Sequence, residues 1–245
     1  MTPIRLVSFD LDGTLLDTAA EIAQAANAAL RDTGLPEQSA ASVTALVGHG
    51  SAALMHALHG RLHGDAHGVS AQALIDAFDR HYPAMIGTAS QAYPGAAQAL
   101  ADLRDAGILR VCTTNKNAAF THALLETHGL LDRFDLVVGG DTLAWRKPDP
   151  RVLQHVGQRF GIAPTDAAHL GDSVTDIRSA RGAGWGAWAV PWGYDGGVPI
   201  DQASPDLIFP SLVAAARHAI RSHDRAADRP LRAEPRRTDE ERMRT

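Results

Sequence analysis

The sequence predicts an α/β fold: a Rossmann-like, mainly parallel sheet flanked by helices, with an all-helical domain inserted after the first strand. Residues 4–9 form a short apolar run with the β-favouring composition of a buried strand. Residues 17–92 then show helical spacing of apolar side chains and contain no convincing strand. From residue 93 onward, short apolar runs alternate with helical segments, which is the pattern of a parallel sheet with crossover helices.

The predicted elements follow the chain in order. A buried strand over residues 4–9 leads into Asp10, and helices are predicted over residues 18–31, 51–62 and 71–82. In the second half, strands are predicted over 108–113, 135–138, 168–170, 185–190 and 207–208, and helices over 94–103, 118–128, 150–160, 174–183 and 211–220.

This alternation predicts two domains and a tail. The core domain is predicted to comprise residues 1–16 and 93–220, and the helical cap domain residues 17–92. Residues 221–245 are rich in Arg, Asp, Glu and Pro and nearly empty of large apolar side chains. Such a segment cannot bury enough surface to offset its ordering entropy, so we expect this tail to be disordered.

Composition excludes several classes of protein. The 245 residues are 45% hydrophobic, enough to bury a core, and the formal net charge of −5 argues against a nucleic-acid partner held by phosphate contacts. No apolar run reaches the ~18 residues of a membrane span, and no signal peptide is visible. The one cysteine, Cys112, has no internal disulfide partner. We therefore expect a cytoplasmic protein with no membrane partner, and the sequence leaves its oligomeric state open.

Two acids dominate the first strand–loop junction. Asp10 follows the apolar run and Asp12 lies two residues further on, before a Gly-Thr turn. A solvated turn is one explanation for such a pair. A metal-assisted nucleophile with an acid/base partner is the other, and it is favoured because three more polar clusters follow later in the chain. In open α/β sheets, ligands bind at the carboxyl ends of the strands.

The second and third clusters can supply charge stabilisation for a phosphoryl group. Thr114, Asn115 and Lys116 follow the strand over 108–113, where a hydroxyl and an amide can donate hydrogen bonds to phosphate oxygens. Lys147 lies in the stiff sequence Arg-Lys-Pro-Asp-Pro. Its ammonium would neutralise a nucleophilic carboxylate and the transferring phosphoryl group. The chain has two lysines, and both fall in these clusters.

The fourth cluster supplies further carboxylates. Asp172 follows a predicted strand and a glycine, and Asp176 lies in the first turn of the next predicted helix. Asp10 and Asp172 can converge on a hard divalent cation, and Mg²⁺ is typically held by one or two carboxylates together with waters and substrate oxygens. Asp176 either contacts the metal directly, acts through water or orients its neighbours.

Together, these clusters resemble the four motifs of the haloacid dehalogenase superfamily of phosphotransferases: D-x-D-G-T, a strand-end Thr, K-P-x-P and G-D-S-x-x-D. The match runs from about residue 4 to residue 219. Within the superfamily, the chain resembles the phosphoglycolate phosphatase subgroup. That narrower resemblance rests on Thr114-Asn115-Lys116, Val47-Gly48-His49-Gly50, Val138-Gly139-Gly140-Asp141, Trp192-Gly193-Tyr194 and Ser204-Pro205-Asp206.

The resemblance implies a magnesium-dependent phosphatase that hydrolyses 2-phosphoglycolate through an aspartyl-phosphate. Asp10 would be the nucleophile and Asp12 the general acid/base. Asp10, Asp172 and the backbone carbonyl of Asp12 would bind Mg²⁺. Thr114 and Lys147 would stabilise charge on the transferring group. The cap would close over the site and exclude bulk water.

Substrate binding is assigned to two stretches. Thr114 and Asn115 are expected to contact the phosphate. The cap sequence Gly48-His49-Gly50 precedes a predicted helix, and a helix N-terminus with permissive glycines suits an anion. We expect this loop to reach the site on closure and to hold the substrate carboxylate.

Several alternatives remain beside this interpretation. A phosphatase for another small phosphomonoester, such as a sugar phosphate, and a related phosphomutase would share the core motifs. Dehalogenases of the superfamily lack the second acid that is present here as Asp12. A phosphonoacetaldehyde hydrolase needs a cap lysine, and residues 17–91 contain none. The cap histidines, with His56 and His59 one turn apart, could form a zinc-binding module, although scattered surface histidines explain them better. A catalytically dead binding protein is disfavoured because no motif acid is missing.

Overall fold

The computed structural model describes residues 3–194 and 196–227. The strands, in chain order, are β1 (Leu6–Phe9), β2 (Leu16–Asp17), β3 (Gln91–Ala92), β4 (Leu109–Thr113), β5 (Leu136–Val138), β6 (Ala167–Gly171), β7 (Gly186–Ala189) and β8 (Leu207–Ile208). The α-helices are α1 (Ala19–Asp32), α2 (Ala40–Thr44), α3 (Ser51–Arg61), α4 (Ala71–Met85), α5 (Ala96–Asp105), α6 (Ala118–Thr127), α7 (Arg151–Phe160), α8 (Val174–Ala183) and α9 (Leu212–Ala227).

Within the described residues, six of these strands form one sheet in the order β5-β4-β1-β6-β7-β8, with every neighbouring pair parallel. In this register Leu6 of β1 lies opposite Leu109 of β4 and Ala167 of β6. The carboxyl ends of the strands therefore meet at one edge. The predicted α/β fold with a helical insertion is confirmed.

Helices cover both faces of the sheet, so that the central strands β1 and β6 are buried on both sides. One face packs against α5 and α9, with Phe9, Leu100 and Leu212 fully or almost fully buried. The other face packs against α7 and α8. Helices α1 to α4 have a separate hydrophobic core, which includes Leu58 and Leu74, and this gives the insertion its own packing.

A short antiparallel ladder joins this helical insertion to the sheet domain. Leu16 pairs with Ala92, and Asp17 pairs with Gln91. The sequence analysis found no strand between residues 17 and 92, so the description of this segment as all-helical is wrong at its two ends. Neither β2 nor β3 has an alternating pattern that would mark it as a strand, and the pairing of these two distant segments reveals them. The domain boundaries themselves stay a prediction.

The last helix is longer than the sequence predicted. Helix α9 runs to Ala227, seven residues beyond the predicted end at residue 220. Ser222 is buried and donates to the carbonyl of His218, and the His223 ring nitrogen Nδ1 lies 3.0 Å from the carbonyl oxygen of Ile4. The predicted tail therefore starts with helix, and residues 228–245 lie outside the described residues. No helix in the described part of the chain is long and apolar enough to cross a membrane.

Candidate active site

Asp10 and Lys147 form the centre of the site. Asp10 directly follows β1, where its backbone N–H donates to the carbonyl of Leu170 over 2.9 Å, and its carboxylate lies 2.8 Å from the Lys147 ammonium. Burial raises the pKa of Asp10 to about 6, although Lys147 opposes the shift. Burial acts against the charged form of Lys147, but Asp10 and Asp176 outweigh it and raise the pKa of that lysine. Lys147 is thus held as a buried cation against the carboxylate.

Asp176 is the second partner of Lys147, and the protein occupies both of its oxygens. Oδ1 accepts from the Lys147 ammonium over 2.7 Å and contacts the His169 ring over 3.1 Å. Oδ2 accepts from the backbone N–H and the hydroxyl of Ser173, which caps α8 in a capping box. Although burial opposes ionisation, Lys147 and His169 hold the pKa of Asp176 well below its usual range. Asp176 is therefore an ionised carboxylate with little remaining acceptor capacity.

Asp172 has a different environment. It lies just after β6, with Oδ1 accepting from the Thr14 hydroxyl over 3.0 Å and Oδ2 accepting from the Tyr194 backbone N–H over 2.5 Å. Burial and the nearby carboxylates of Asp176 and Asp10 raise its pKa well above the usual value. Two crowded turn residues, Gly13 and Gly193, pack against this carboxylate so closely that a Cβ at either position would collide with it.

Asp10, Asp172 and Asp176 form a buried carboxylate cluster that suggests a metal site. Their nearest ligand atoms all lie within 4.8 Å of one another. Hard oxygen donors in this number suit a hard divalent cation. The raised pKa values of Asp10 and Asp172 are also what a bound cation would correct, since it would favour their charged forms. The residues present therefore fit a metal ion.

Asp12 lies in the loop after β1, beside a second lysine. Its carboxylate accepts from the Lys116 ammonium over 3.1 and 3.2 Å and from the Thr18 hydroxyl over 2.6 Å. The Lys116 ammonium also lies over the Tyr82 ring, 4.5 Å from its centroid. Tyr82 belongs to α4, so this contact joins the edge of the sheet that carries Asp10 and Asp12 to the helical insertion.

Thr114 and Asn115 follow β4 at the same edge of the sheet. Thr114 is buried, and its hydroxyl accepts from the Lys116 backbone N–H. The Asn115 amide group donates to the carbonyls of Gly48 and Lys147 over 2.9 and 2.8 Å. Both amide hydrogens of Asn115 are therefore used, one in joining the inserted loop to the core and one within the core, and a phosphate could receive one only by displacing a carbonyl.

A cavity lies between this edge and the helical insertion. Of the three cap residues that were predicted to bind the substrate, Gly48 and Gly50 line this cavity and His49 does not. His49 is exposed, lines a neighbouring cleft, and lies 3.4 Å from the Thr175 hydroxyl. The cavity wall is completed by core and cap residues: Asp10, Asp12, Ile22, Val47, Ser51, Leu54, Phe78, Tyr82, Thr114, Asn115, Lys116 and Phe120.

Two residues that were not predicted as site residues, Glu21 and Tyr194, shape the site, although Tyr194 lies in one of the stretches that carry the family resemblance. Glu21 is fully buried in α1 and accepts from the Tyr82 hydroxyl and from the backbone N–H groups of Gly87 and Ser90. The Tyr194 hydroxyl donates to Asp17 and accepts from backbone N–H groups at the start of α1. An acid in the first turn of a helix is typical of a surface residue, so the sequence did not indicate that Glu21 is buried.

Comparison with known proteins places the chain in a family. Residues 4–184 match the family model described as haloacid dehalogenase-like hydrolase. A relative named phosphoglycolate phosphatase from Nitrosospira multiformis is 40% identical over 216 residues, which cover 88% of this chain and 95% of the relative. A protein of the same name from Thiobacillus denitrificans is 36% identical over 215 residues, covering 87% of this chain and 95% of that protein.

A solved structure agrees with these matches. The crystal structure of a predicted phosphoglycolate phosphatase from Haemophilus somnus 129PT superposes with a TM-score of 0.84 at 28% identity, covering 89% of this chain and 99% of that one. The family match spans β1 to α8 and includes all four polar clusters at the edge of the sheet. The chain belongs to the haloacid dehalogenase-like hydrolases.

Proposed function

We propose that the protein is a phosphoglycolate phosphatase, a phosphoric monoester hydrolase that converts 2-phosphoglycolate to glycolate and phosphate. The observation that carries the proposal is the placement of Asp10 and Asp12 on one cavity wall, with the Lys147 ammonium 2.8 Å behind Asp10. The relatives named phosphoglycolate phosphatase match this chain over 95% of their own length. We further propose a cytoplasmic location, with the single cysteine, Cys112, buried in β4 as a free thiol.

Asp10 is the proposed nucleophile. One of its oxygens attacks phosphorus, forming an aspartyl-phosphate while the bond from phosphorus to the ester oxygen breaks. Asp12 gives a proton to the leaving glycolate oxygen, then takes one from the water that attacks the aspartyl-phosphate. Lys147 and the Thr114 hydroxyl stabilise negative charge on the transferring group, and Lys147 is preorganised for this by its two carboxylate partners.

The proposed metal is Mg²⁺, held by Asp10, Asp172 and the backbone carbonyl of Asp12. Asp176 is excluded from this set because Lys147, His169 and Ser173 already occupy its two oxygens. It serves instead to orient Lys147. When bound, Mg²⁺ neutralises charge on the phosphate and on the nucleophilic carboxylate.

The cavity favours a small, compact substrate over a sugar phosphate. Its cap side is mainly apolar, with Ile22, Val47, Leu54 and Phe78 among the lining residues. The Tyr82 hydroxyl is already bonded to Glu21. Sugar hydroxyls buried against such a surface would lose hydrogen bonds to water without replacement, which costs on the order of 1–3 kcal/mol for each group.

A steady-state screen tests the proposal. With Mg²⁺ present, kcat/KM for 2-phosphoglycolate is expected to exceed that for glucose 6-phosphate and ribose 5-phosphate by at least about 100-fold, the effect of roughly two unpaired hydroxyls. Asp10→Asn is the control for contaminating phosphatases and should show no turnover, because an amide is a poor nucleophile. A sugar phosphate that outperforms 2-phosphoglycolate would overturn the substrate assignment, and an active Asp10→Asn variant would overturn the nucleophile.

A further inference from the structure

We propose that Lys116 binds the carboxylate of the substrate and is the main determinant of the preference for a two-anion phosphoester. This inference rests on the proposed function and extends it. It assigns substrate discrimination to a residue of the core, whereas the sequence analysis assigned it to the Gly48-His49-Gly50 loop of the cap.

The first argument is the charge of the cavity wall. Of the described residues that line the cavity, the charged ones are Asp10, Asp12 and Lys116, so Lys116 is the one cation among them. Lys147 lies behind Asp10, with its ammonium shared between Asp10 and Asp176. A substrate carboxylate that enters this cavity therefore meets a single side chain of opposite charge.

The second argument is the distance from the reacting bond. The general acid must contact the ester oxygen of the substrate, and in 2-phosphoglycolate the carboxyl carbon is only two bonds from that oxygen. The Lys116 ammonium lies 3.1 and 3.2 Å from the two carboxylate oxygens of Asp12. A group that touches Asp12 is therefore within reach of the substrate carboxylate whenever the ester oxygen is in place for protonation.

The third argument is that Lys116 is held in this position. Only 7% of the residue is exposed, and the Tyr82 ring packs against its ammonium. The Tyr82 hydroxyl is in turn fixed by Glu21. A buried ammonium has lost much of its hydration, so a charge-assisted hydrogen bond to a carboxylate is stronger here than at the protein surface.

Two substrates that differ only in the second anion test whether Lys116 binds the substrate carboxylate or only affects acid/base catalysis by Asp12. We would compare 2-phosphoglycolate with 2-hydroxyethyl phosphate, in which a neutral hydroxymethyl group replaces the carboxylate. In Lys116→Met, the ratio of kcat/KM for the two substrates should fall by about 100-fold, the effect expected when one partner of a buried charge pair is removed. Lys116→Arg should retain part of the preference because it keeps the charge.

Arg146→Met is the matched control. Arg146 is an exposed cation that lines the neighbouring cleft beside His49. Removing its charge should leave the substrate ratio unchanged. Circular dichroism and Tm measurements would verify folding, and Lys116→Gln provides a polar replacement if the methionine variant does not fold.

The outcomes distinguish the two proposals. An equal fall in kcat/KM for both substrates would show that Lys116 acts only through Asp12, and it would overturn the inference while leaving the phosphatase intact. A wild-type enzyme that does not hydrolyse 2-phosphoglycolate would overturn the proposed function itself. A loss of preference in Arg146→Met that matches the loss in Lys116→Met would indicate a general effect of charge and would also overturn the inference.

Discussion

At the scale of single residues, the site combines carboxylates in opposite electrostatic environments. Asp176 receives four contacts from Lys147, His169 and Ser173, and its pKa is low. Asp172 receives two neutral donors, and its pKa is high. Because both acids are buried in the same cluster, the difference in pKa comes from their neighbours: Lys147 lies against Asp176, whereas Asp172 faces the carboxylates of Asp176 and Asp10. The Asp176 carboxylate therefore holds the Lys147 ammonium, whereas the Asp172 carboxylate can still accept a cation.

This arrangement predicts that the free energy of unfolding of the metal-free protein falls as the pH rises. Asp10 has a pKa of about 6 when folded and 3.8 as an unperturbed group, so the folded state binds more protons between these values. Its contribution to the free energy of unfolding is fully present below about pH 4 and is lost as the pH rises through about 6. Asp172 acts in the same direction. A bound cation should offset this loss.

Asp172→Asn tests this prediction. An asparagine can keep both local contacts, since its oxygen accepts from the Tyr194 N–H and its amide donates to the Thr14 hydroxyl. At pH 7.5 without metal, the variant should have a Tm equal to or above that of the wild type. Added Mg²⁺ should raise the wild-type Tm and leave the variant unchanged. A metal-free variant that is clearly less stable than the wild type at pH 7.5 would contradict the electrostatic argument.

At the scale of elements, the loop after β4 connects the cap to the core. The Asn115 amide joins the Gly48 carbonyl to the Lys147 carbonyl. The close approach also requires a glycine at position 50, where φ is +88° and a Cβ would lie 2.7 Å from the Asn115 carbonyl oxygen. Gly50, which was predicted to bind an anion, thus has a second role, which is to let the two loops touch.

Asn115→Ala should loosen this contact. Two hydrogen bonds at about 0.5–1.5 kcal/mol each would be lost. We therefore expect faster hydrogen exchange at the amides of residues 48–54 in the free enzyme, together with a fall in kcat/KM of roughly 10-fold.

Asn117→Ala is the control for this variant, because Asn117 caps α6 nearby through its side chain. It should leave exchange in the cap loop unchanged. If Asn115→Ala leaves cap exchange unchanged and instead weakens inhibition by inorganic phosphate, Asn115 is a phosphate ligand, as the sequence analysis expected.

At the scale of the whole molecule, the structure shows the cap closed on the core. Residues of the cap and of the core together form the wall of the cavity, so we expect the cap to move away from the core when the substrate enters. The β2–β3 ladder and the Tyr194 hydroxyl, which contacts Asp17 and the start of α1, lie where such a movement would begin.

The long C-terminal helix α9 packs beside α5 on one face of the sheet. A chain that ends at residue 220 loses the buried Ser222 and the contact from His223 to Ile4. A loss of about 1–2 kcal/mol should lower Tm by roughly 2–8 °C in a chain of this size, while kcat/KM at 25 °C stays unchanged.

A chain that ends at residue 227 is the matched comparison for this truncation. It keeps all of α9, so both Tm and kcat/KM should equal those of the full chain. Equal Tm values for the two truncated chains would show that the last turns of α9 do not stabilise the core.

The sequence by itself determined the fold class and the core of the site. The carboxyl ends of parallel strands share one edge of a sheet. The proximity of Asp10, Thr114 and Asp172 could therefore be predicted from the fact that each follows an apolar strand. Helix α8 was predicted with its observed bounds, and the capping box of Ser173 and Asp176 that the structure shows at its start is also written in neighbouring residues. These are local signals, and the chain carries them whatever its tertiary contacts.

Tertiary structure alone decided how the cap meets the core. The two-residue strands β2 and β3, the bridge made by Asn115 and the packing of Tyr82 on Lys116 each join segments distant in sequence. The same holds for the distinction between Asp172 and Asp176, since both acids follow the same strand and only their partners separate them. A sequence shows which side chains can donate or accept, whereas the number of partners that reach a buried carboxylate depends on the packing around it.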